Sequence, residues 1–140
     1  PKTLAHYDYR LDNMLFDDSA DTTRLVVIDW QLAHRSFAKL DVSYFLSGNF
    51  PVEVRRKCEV EMVHYYHDQL TSHGVSDYSF DRCWEDYRVS TLALLIFMVT
   101  SQNDIELSKL NDRAQALIAA IFERYTTSIL DADAGSFLPA

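Results

Sequence analysis

Three oxygen-bearing side chains are of types that could serve phosphate chemistry. The segment His6-Tyr-Asp-Tyr-Arg-Leu-Asp-Asn13 sets a carboxylate, Asp8, five residues before an amide, Asn13. Sixteen residues after Asn13, the apolar run Leu25-Val-Val-Ile28 delivers a second carboxylate, Asp29. A carboxylate beside an acceptor hydroxyl can orient it and take its proton, which makes Asp8 the candidate base. Hard Mg²⁺ takes oxygen ligands, commonly one or two carboxylates with phosphate oxygens and water. Asp29 offers such a carboxylate, and Asn13 an amide oxygen that adds no further negative charge. Transfer of the γ-phosphoryl group of ATP to a hydroxyl needs this set: an oriented nucleophile, and cations on the β- and γ-oxygens. Taken singly, Asp8 reads as a solvated loop residue, Asn13 as a turn cap and Asp29 as a strand end. Their joint placement favours the site.

The elements that must position these residues come in two textures, meeting near residue 50. Met14-Leu-Phe16 and Arg24-Leu-Val-Val-Ile-Asp29 are β-prone, and the second has the β-branched run of a well-buried strand. The turn formers Asp17 to Thr23 between them predict a hairpin, with Asn13 before one strand and Asp29 at the end of the other. The remainder reads as helical. Asn49 caps a helix with Pro51 in its first turn, and its apolar face carries Val54, Cys58, Met62, Tyr66 and Leu70 until Gly74 stops it. Ser79 or Asp81 caps the next, whose face carries Cys83, Trp84, Tyr87, Thr91, Leu94, Leu95 and Met98. A last helix runs from about Asp112 to Leu130, and the tail 131–140 is expected to fray. With only three glycines, the chain has no Gly-rich phosphate loop.

Composition narrows the partners. The chain has 140 residues, is 48% hydrophobic and carries a formal net charge of -8, which fits one globular lobe and excludes a nucleic-acid surface or a basic membrane helix. The negative balance serves solubility, and would also suit a cationic substrate. Cys58 and Cys83 read as small buried hydrophobes rather than a disulfide framework, so a cytoplasmic setting is expected. The apolar run 91–100 is too short to span a bilayer. His64 and His67 lie three apart, at ligand-compatible spacing, but no third ligand stands at a complementary spacing, so a helical face is the simpler reading. Tyr65, Tyr66, Tyr78 and Tyr87 read as core and groove residues rather than a cation cage. Arg10 suits phosphate, substrate or a salt bridge to Asp12.

The loop His6 to Asn13 matches the pattern His-x-Asp-x-x-x-x-Asn of protein-kinase catalytic loops, and Asp29-Trp-Gln31 stands where kinases place Asp-Phe-Gly. The segment resembles the aminoglycoside phosphotransferase and choline kinase-like superfamily more than true protein kinases. The runs Ile28-Asp-Trp-Gln31 and Asp41-Val-Ser-Tyr-Phe45 are similar to segments of its ecdysteroid kinase-like branch. The likeness is specific from His6 to about Leu46. It implies that Asp8 is the catalytic base and that Asn13 and Asp29 are Mg²⁺ ligands. It implies that His6 and Asp41 support the site, Asp41 as a buried carboxylate holding loop N–H groups. Gly is usual where this chain has Tyr7, so a positive φ there would carry a steric cost.

The expected fold is α+β: a protein-kinase-like C-terminal lobe, mostly α-helical, with a small β-hairpin at the active site. Residues 1–48 would hold the catalytic loop, hairpin and following segment, residues 49–130 the helical part of the same lobe. The Gly-rich loop, the strand lysine and its glutamate partner lie upstream in this architecture. The chain is therefore expected to be a fragment that lacks its ATP-binding lobe and turns over poorly alone. The expected activity is ATP- and Mg²⁺-dependent phosphorylation of a small-molecule hydroxyl. The rival readings are a pseudokinase-type scaffold, and a helical interaction domain whose motif arose by chance, which a separation of more than about 15 Å among Asp8, Asn13 and Asp29, beyond the reach of one cation, would favour. Neither the acceptor nor the oligomeric state is legible.

Overall fold

The β-prone runs on either side of the Asp17–Thr23 turn do pair. A computed structural model describes residues 2–19, 21–37, 39–102 and 106–138, and in it Met14–Asp17 and Arg24–Val27 form an antiparallel hairpin. The register sets Met14 against Val27 and Asp17 against Arg24. With Thr3–Ala5 as β1, these strands are β2 and β3. A second two-stranded sheet joins β1 to β4, His34–Ser36, with Thr3 opposite Ser36. That ribbon has three-residue strands and almost no alternation, which is why it is invisible to periodicity.

The hairpin differs from expectation in two ways. β3 ends at Val27, two residues short of Asp29, and it is not well buried: Leu25 and Val26 are about half exposed, as are Leu15 and Phe16 opposite. Among the described residues no helix covers these side chains. The β-branched content encodes strand conformation, and burial has to come from elsewhere.

Helices make up the rest: α1 Lys39–Asn49, α2 Val52–Ser72, α3 Phe80–Gln102 and α4 Asp112–Asp131. The change of texture thus falls near residue 38, not 50. Asn49 ends α1 rather than capping α2, and Pro51 takes the position before the first turn of α2, where its missing N–H costs nothing. Small residues explain how α1 lies at the centre. Ser43 and Ser47 are fully buried, and Ser47 shares a 2.7 Å hydrogen bond with Ser128 of α4. Beside them Gly48 faces Tyr125 so closely that a Cβ would stand 3.2 Å from the phenol oxygen.

Two apolar clusters flank α1. Leu46, Val63, Tyr78, Cys83 and Tyr87 form one, and Leu94, Met98 and Tyr125 the other. The α3 face is largely as predicted, except that Leu95 is about half exposed. The α2 face is not: Val54 and Met62 are exposed, while Arg55, Glu59 and Val63 are buried one helical turn apart. A charged pair occupies the stripe that hydrophobicity assigned elsewhere. Arg55 donates to Glu59 at 2.7 Å and pairs with Asp131, and Tyr87 donates to Glu59 at 2.6 Å. This network ties α2, α3 and α4 together. It also anchors the supposed frayed tail, where Ala132 and Ala134 are buried and the Arg88 guanidinium lies 4.9 Å over the Phe137 ring. Pro139 and Ala140 lie outside the described residues. Among the described residues no helix is long and apolar enough to cross a membrane.

Candidate active site

The site is assembled where the segment after β1 meets the hairpin. His6 and Tyr7 follow β1, and their backbone N–H groups donate to the two carboxylate oxygens of Asp41, in the first turn of α1, at 2.6 and 2.8 Å. Asp41 is half-buried. Tyr7 adopts φ 70°, the left-handed region that disfavours a side chain with a Cβ. Its ring compensates by packing: it lies 4.0 Å from the His34 ring, and its hydroxyl is 3.2 Å from that of Ser36.

His6 is 2% exposed and both ring nitrogens are engaged. Nδ1 accepts from the Asp8 N–H at 3.2 Å, so the ring proton sits on Nε2, which donates to the carbonyl of Ile28 at 2.8 Å. A ring so committed cannot take a proton from an acceptor. It links the loop to the end of β3 instead. Trp30 packs edge-on against it at 4.7 Å, is about half exposed and belongs to neither helical core cluster.

Asp8 and Asn13 are brought into direct contact. Asn13 is buried, and its Nδ2 donates to the backbone carbonyl and to Oδ2 of Asp8, each at 2.8 Å. The other carboxylate oxygen of Asp8 accepts from the Tyr44 hydroxyl at 3.1 Å and lies 3.3 Å from Nε of Arg10. Burial, reinforced by the Asp8 charge, raises the Tyr44 phenol above its ordinary value, so it remains a donor. Arg10 is closer to Asp8 than to Asp12, which stands at 3.9 Å.

Asp29 joins them through the hairpin. The N–H of Ile28 donates to the carbonyl of Asn13 at 2.9 Å. Covalent geometry then keeps the Cα of Asp29 within roughly 11 Å of that of Asn13. That lies inside the separation of about 15 Å beyond which no single cation could be shared. Asp29 is exposed at φ 65°, and no hydrogen bond engages its carboxylate among the described residues.

These donors suit a hard divalent cation. Both Nδ2 hydrogens of Asn13 are spent on Asp8, which leaves Oδ1 as the free end of the amide. That oxygen and the unengaged Asp29 carboxylate are donors of the kind Mg²⁺ takes.

A family model described as the ecdysteroid kinase-like family matches residues 2–76, a span that contains every residue of this site. The chain belongs to that family. No curated protein and no solved structure matches it. The ecdysteroid kinase-like family is part of the superfamily that includes aminoglycoside phosphotransferases and choline kinases, so a kinase-like phosphotransferase is its family-level activity. The match ends four residues into the α2–α3 connection, leaving α3 and α4 outside it.

Other candidates fall away from this ecdysteroid kinase-like site. His64 stacks on Phe80 with ring centres 3.3 Å apart, and His67 bonds the Tyr78 carbonyl at 2.8 Å. Among the described residues no group of three His, Cys, Asp or Glu side chains could hold a metal. Tyr66, Tyr78 and Tyr87 belong to the core cluster, while Tyr65 is exposed. Sequence reasoning missed Tyr44. Its signal was its place three residues after Asp41, on the same face of any helix through both; with 39–49 left unassigned, that face could not be seen.

Proposed function

We propose that this protein is the C-terminal lobe of an ATP- and Mg²⁺-dependent phosphotransferase that phosphorylates a hydroxyl of a small molecule. The observation that supports this most directly is the contact of Asp8 with Asn13. The carboxylate is oriented by an amide on one oxygen and by Tyr44 and Arg10 on the other, while the amide's own oxygen meets no protein donor among the described residues. A carboxylate can accept about four hydrogen bonds, so Asp8 retains room for an acceptor hydroxyl.

In this reading the acceptor hydroxyl donates to Asp8, and its oxygen attacks the γ-phosphorus. The new O–P bond forms as the bridging O–P bond to ADP breaks. ADP leaves with the electron pair and Asp8 takes the proton. Asn13 and Asp29 would hold Mg²⁺, which when bound neutralises charge on the β- and γ-oxygens. His6 and Asp41 shape the loop without touching substrate.

The nucleotide would rest mainly on a lobe upstream of this chain. Leu15 with Val26 on one face of the hairpin and Phe16 with Leu25 on the other, all about half exposed, support that reading, since they leave apolar side chains for such a lobe to cover. The two cysteines are free, in keeping with a reducing cytoplasm. The test is MgATP-dependent phosphorylation of a panel of alcohols by the natural-length protein, alongside Mg²⁺-dependent nucleotide binding. Asp29→Ala is expected to abolish that binding. Unchanged binding in the variant, or rapid turnover by residues 1–140 alone, overturns the proposal.

A further inference from the structure

A cleft of about 260 Å³ opens beside the catalytic loop, walled by Arg10, Asp12, Tyr44, Ile121, Arg124 and Tyr125. Two of its walls, Arg10 and Tyr44, are the groups that hold Asp8 Oδ1. Its size is at the low end for small-molecule pockets, so it suits a compact ligand.

Its charges are unequal. Arg10 is compensated by Asp8 at 3.3 Å and by Asp12 at 3.9 Å. Arg124 is half-buried, donates through Nη1 to the carbonyl of Gly48 at 2.8 Å, and has no carboxylate within salt-bridge distance among the described residues. A guanidinium drawn partly out of water without a counter-ion favours a ligand that supplies one, and its planar fork matches a carboxylate. A larger cavity of about 350 Å³ behind Tyr7 makes the contrast: its Lys39 is already paired with Asp86. Tyr44 and Gly48 are one turn apart on α1, roughly 6 Å along the axis. The cleft therefore offers an anion anchor held at Gly48, one helical turn along α1 from the tyrosine whose hydroxyl holds Asp8, with Ile121 and the Tyr125 ring also in its wall.

We infer that the acceptor is a compact alcohol bearing an acidic group, seated with its carboxylate on Arg124, its apolar or aromatic body against Ile121 and Tyr125, and its hydroxyl at Asp8. This rests on the phosphotransferase reading and adds the substrate class. It runs against the chain's overall charge of -8, which by itself would suit a cation. The local field at the cleft decides, because interactions across more than a Debye length of about 8 Å are screened.

Three size-matched probes test it on the natural-length protein: 4-(hydroxymethyl)benzoate, benzyl alcohol and 4-(hydroxymethyl)benzylammonium, each by calorimetric binding and by phosphoryl transfer from MgATP. The carboxylate is expected to bind tightest. Arg124→Gln should weaken it about tenfold or more, the worth of one charge-assisted pair, and leave benzyl alcohol unchanged. Arg124→Lys, which keeps the charge should Gln disturb the Gly48 contact, retains a preference for the carboxylate. A preference for the ammonium probe, an equal loss for all three in Arg124→Gln, or no binding of any overturns the inference. Arg124-dependent carboxylate binding without phosphoryl transfer would sink the phosphotransferase reading and leave the anion site standing. Transfer to the ammonium probe alone would do the reverse.

Discussion

The N–H of Tyr7 points at Asp41 Oδ1 from 2.8 Å while Tyr7 itself sits in the left-handed region at φ 70°. The two facts are linked. Turning the backbone there aims successive N–H groups, of His6 and Tyr7, at one carboxylate. The carboxylate in turn opposes relaxation of the strained residue, and Asp8 follows directly.

Tyr7→Ala and Tyr7→Gly both lose the ring contacts with His34 and Ser36, but only Gly also relieves the backbone. The left-handed region costs a residue with a Cβ about 1 kcal/mol. Gly should therefore be the more stable variant by about that amount in urea unfolding. Equal midpoints would mean that Tyr7 carries no strain.

Asp8→Asn should separate chemistry from binding. It keeps the size of the side chain, and with its amide oxygen toward Asn13 the new N–H meets the Tyr44 hydroxyl, which can accept as well as donate, so Mg²⁺-dependent nucleotide affinity in the natural-length protein should fall far less than turnover. Turnover should fall at least about a hundredfold, as for a lost general base. Parallel loss of both would reassign Asp8 to the cation.

The hairpin was legible because turn formers separate two β-prone runs, and the three site residues because their types match one chemistry. Helix α1 was not. Its sequence, Lys-Leu-Asp-Val-Ser-Tyr-Phe-Leu-Ser-Gly-Asn, buries Ser43 and Ser47 beside Leu46 and sends Asp41 to the loop, so no apolar period emerges. The buried face of α2 failed for a related reason. Arg55 and Glu59 are charged in the sequence and become core only by pairing with each other, Asp131 and Tyr87. Periodicity reads side chains singly, and these acquire their place as a set.

That set makes a double-mutant prediction. Arg55→Met leaves Glu59 buried without its cation, which should cost about 3–5 kcal/mol. Adding Glu59→Leu removes the orphaned charge and should recover more than half of that loss, with Tyr87 left to find water or another acceptor. Additive losses in the double variant would show that the pair stabilises the fold outright.

Asp131 gives the network a pH dependence whose sign can be worked out. Hydrogen bonds from Arg56 at 2.8 and 3.1 Å, then the Arg55 pair, hold its carboxyl below the ordinary range. The folded state therefore binds fewer protons than the unfolded one through this window, and stability rises with pH there. The contribution is complete above the unfolded carboxyl value of about 3.9, and is lost as pH falls through the lower folded value. Wild type should lose stability below about pH 4 by more than Asp131→Asn does, the variant being weaker at pH 7 and converging on wild type as pH falls through the folded value. Urea midpoints of the two proteins at each pH check this. Curves that stay parallel across the acid limb would show that Asp131 is not depressed by its arginines.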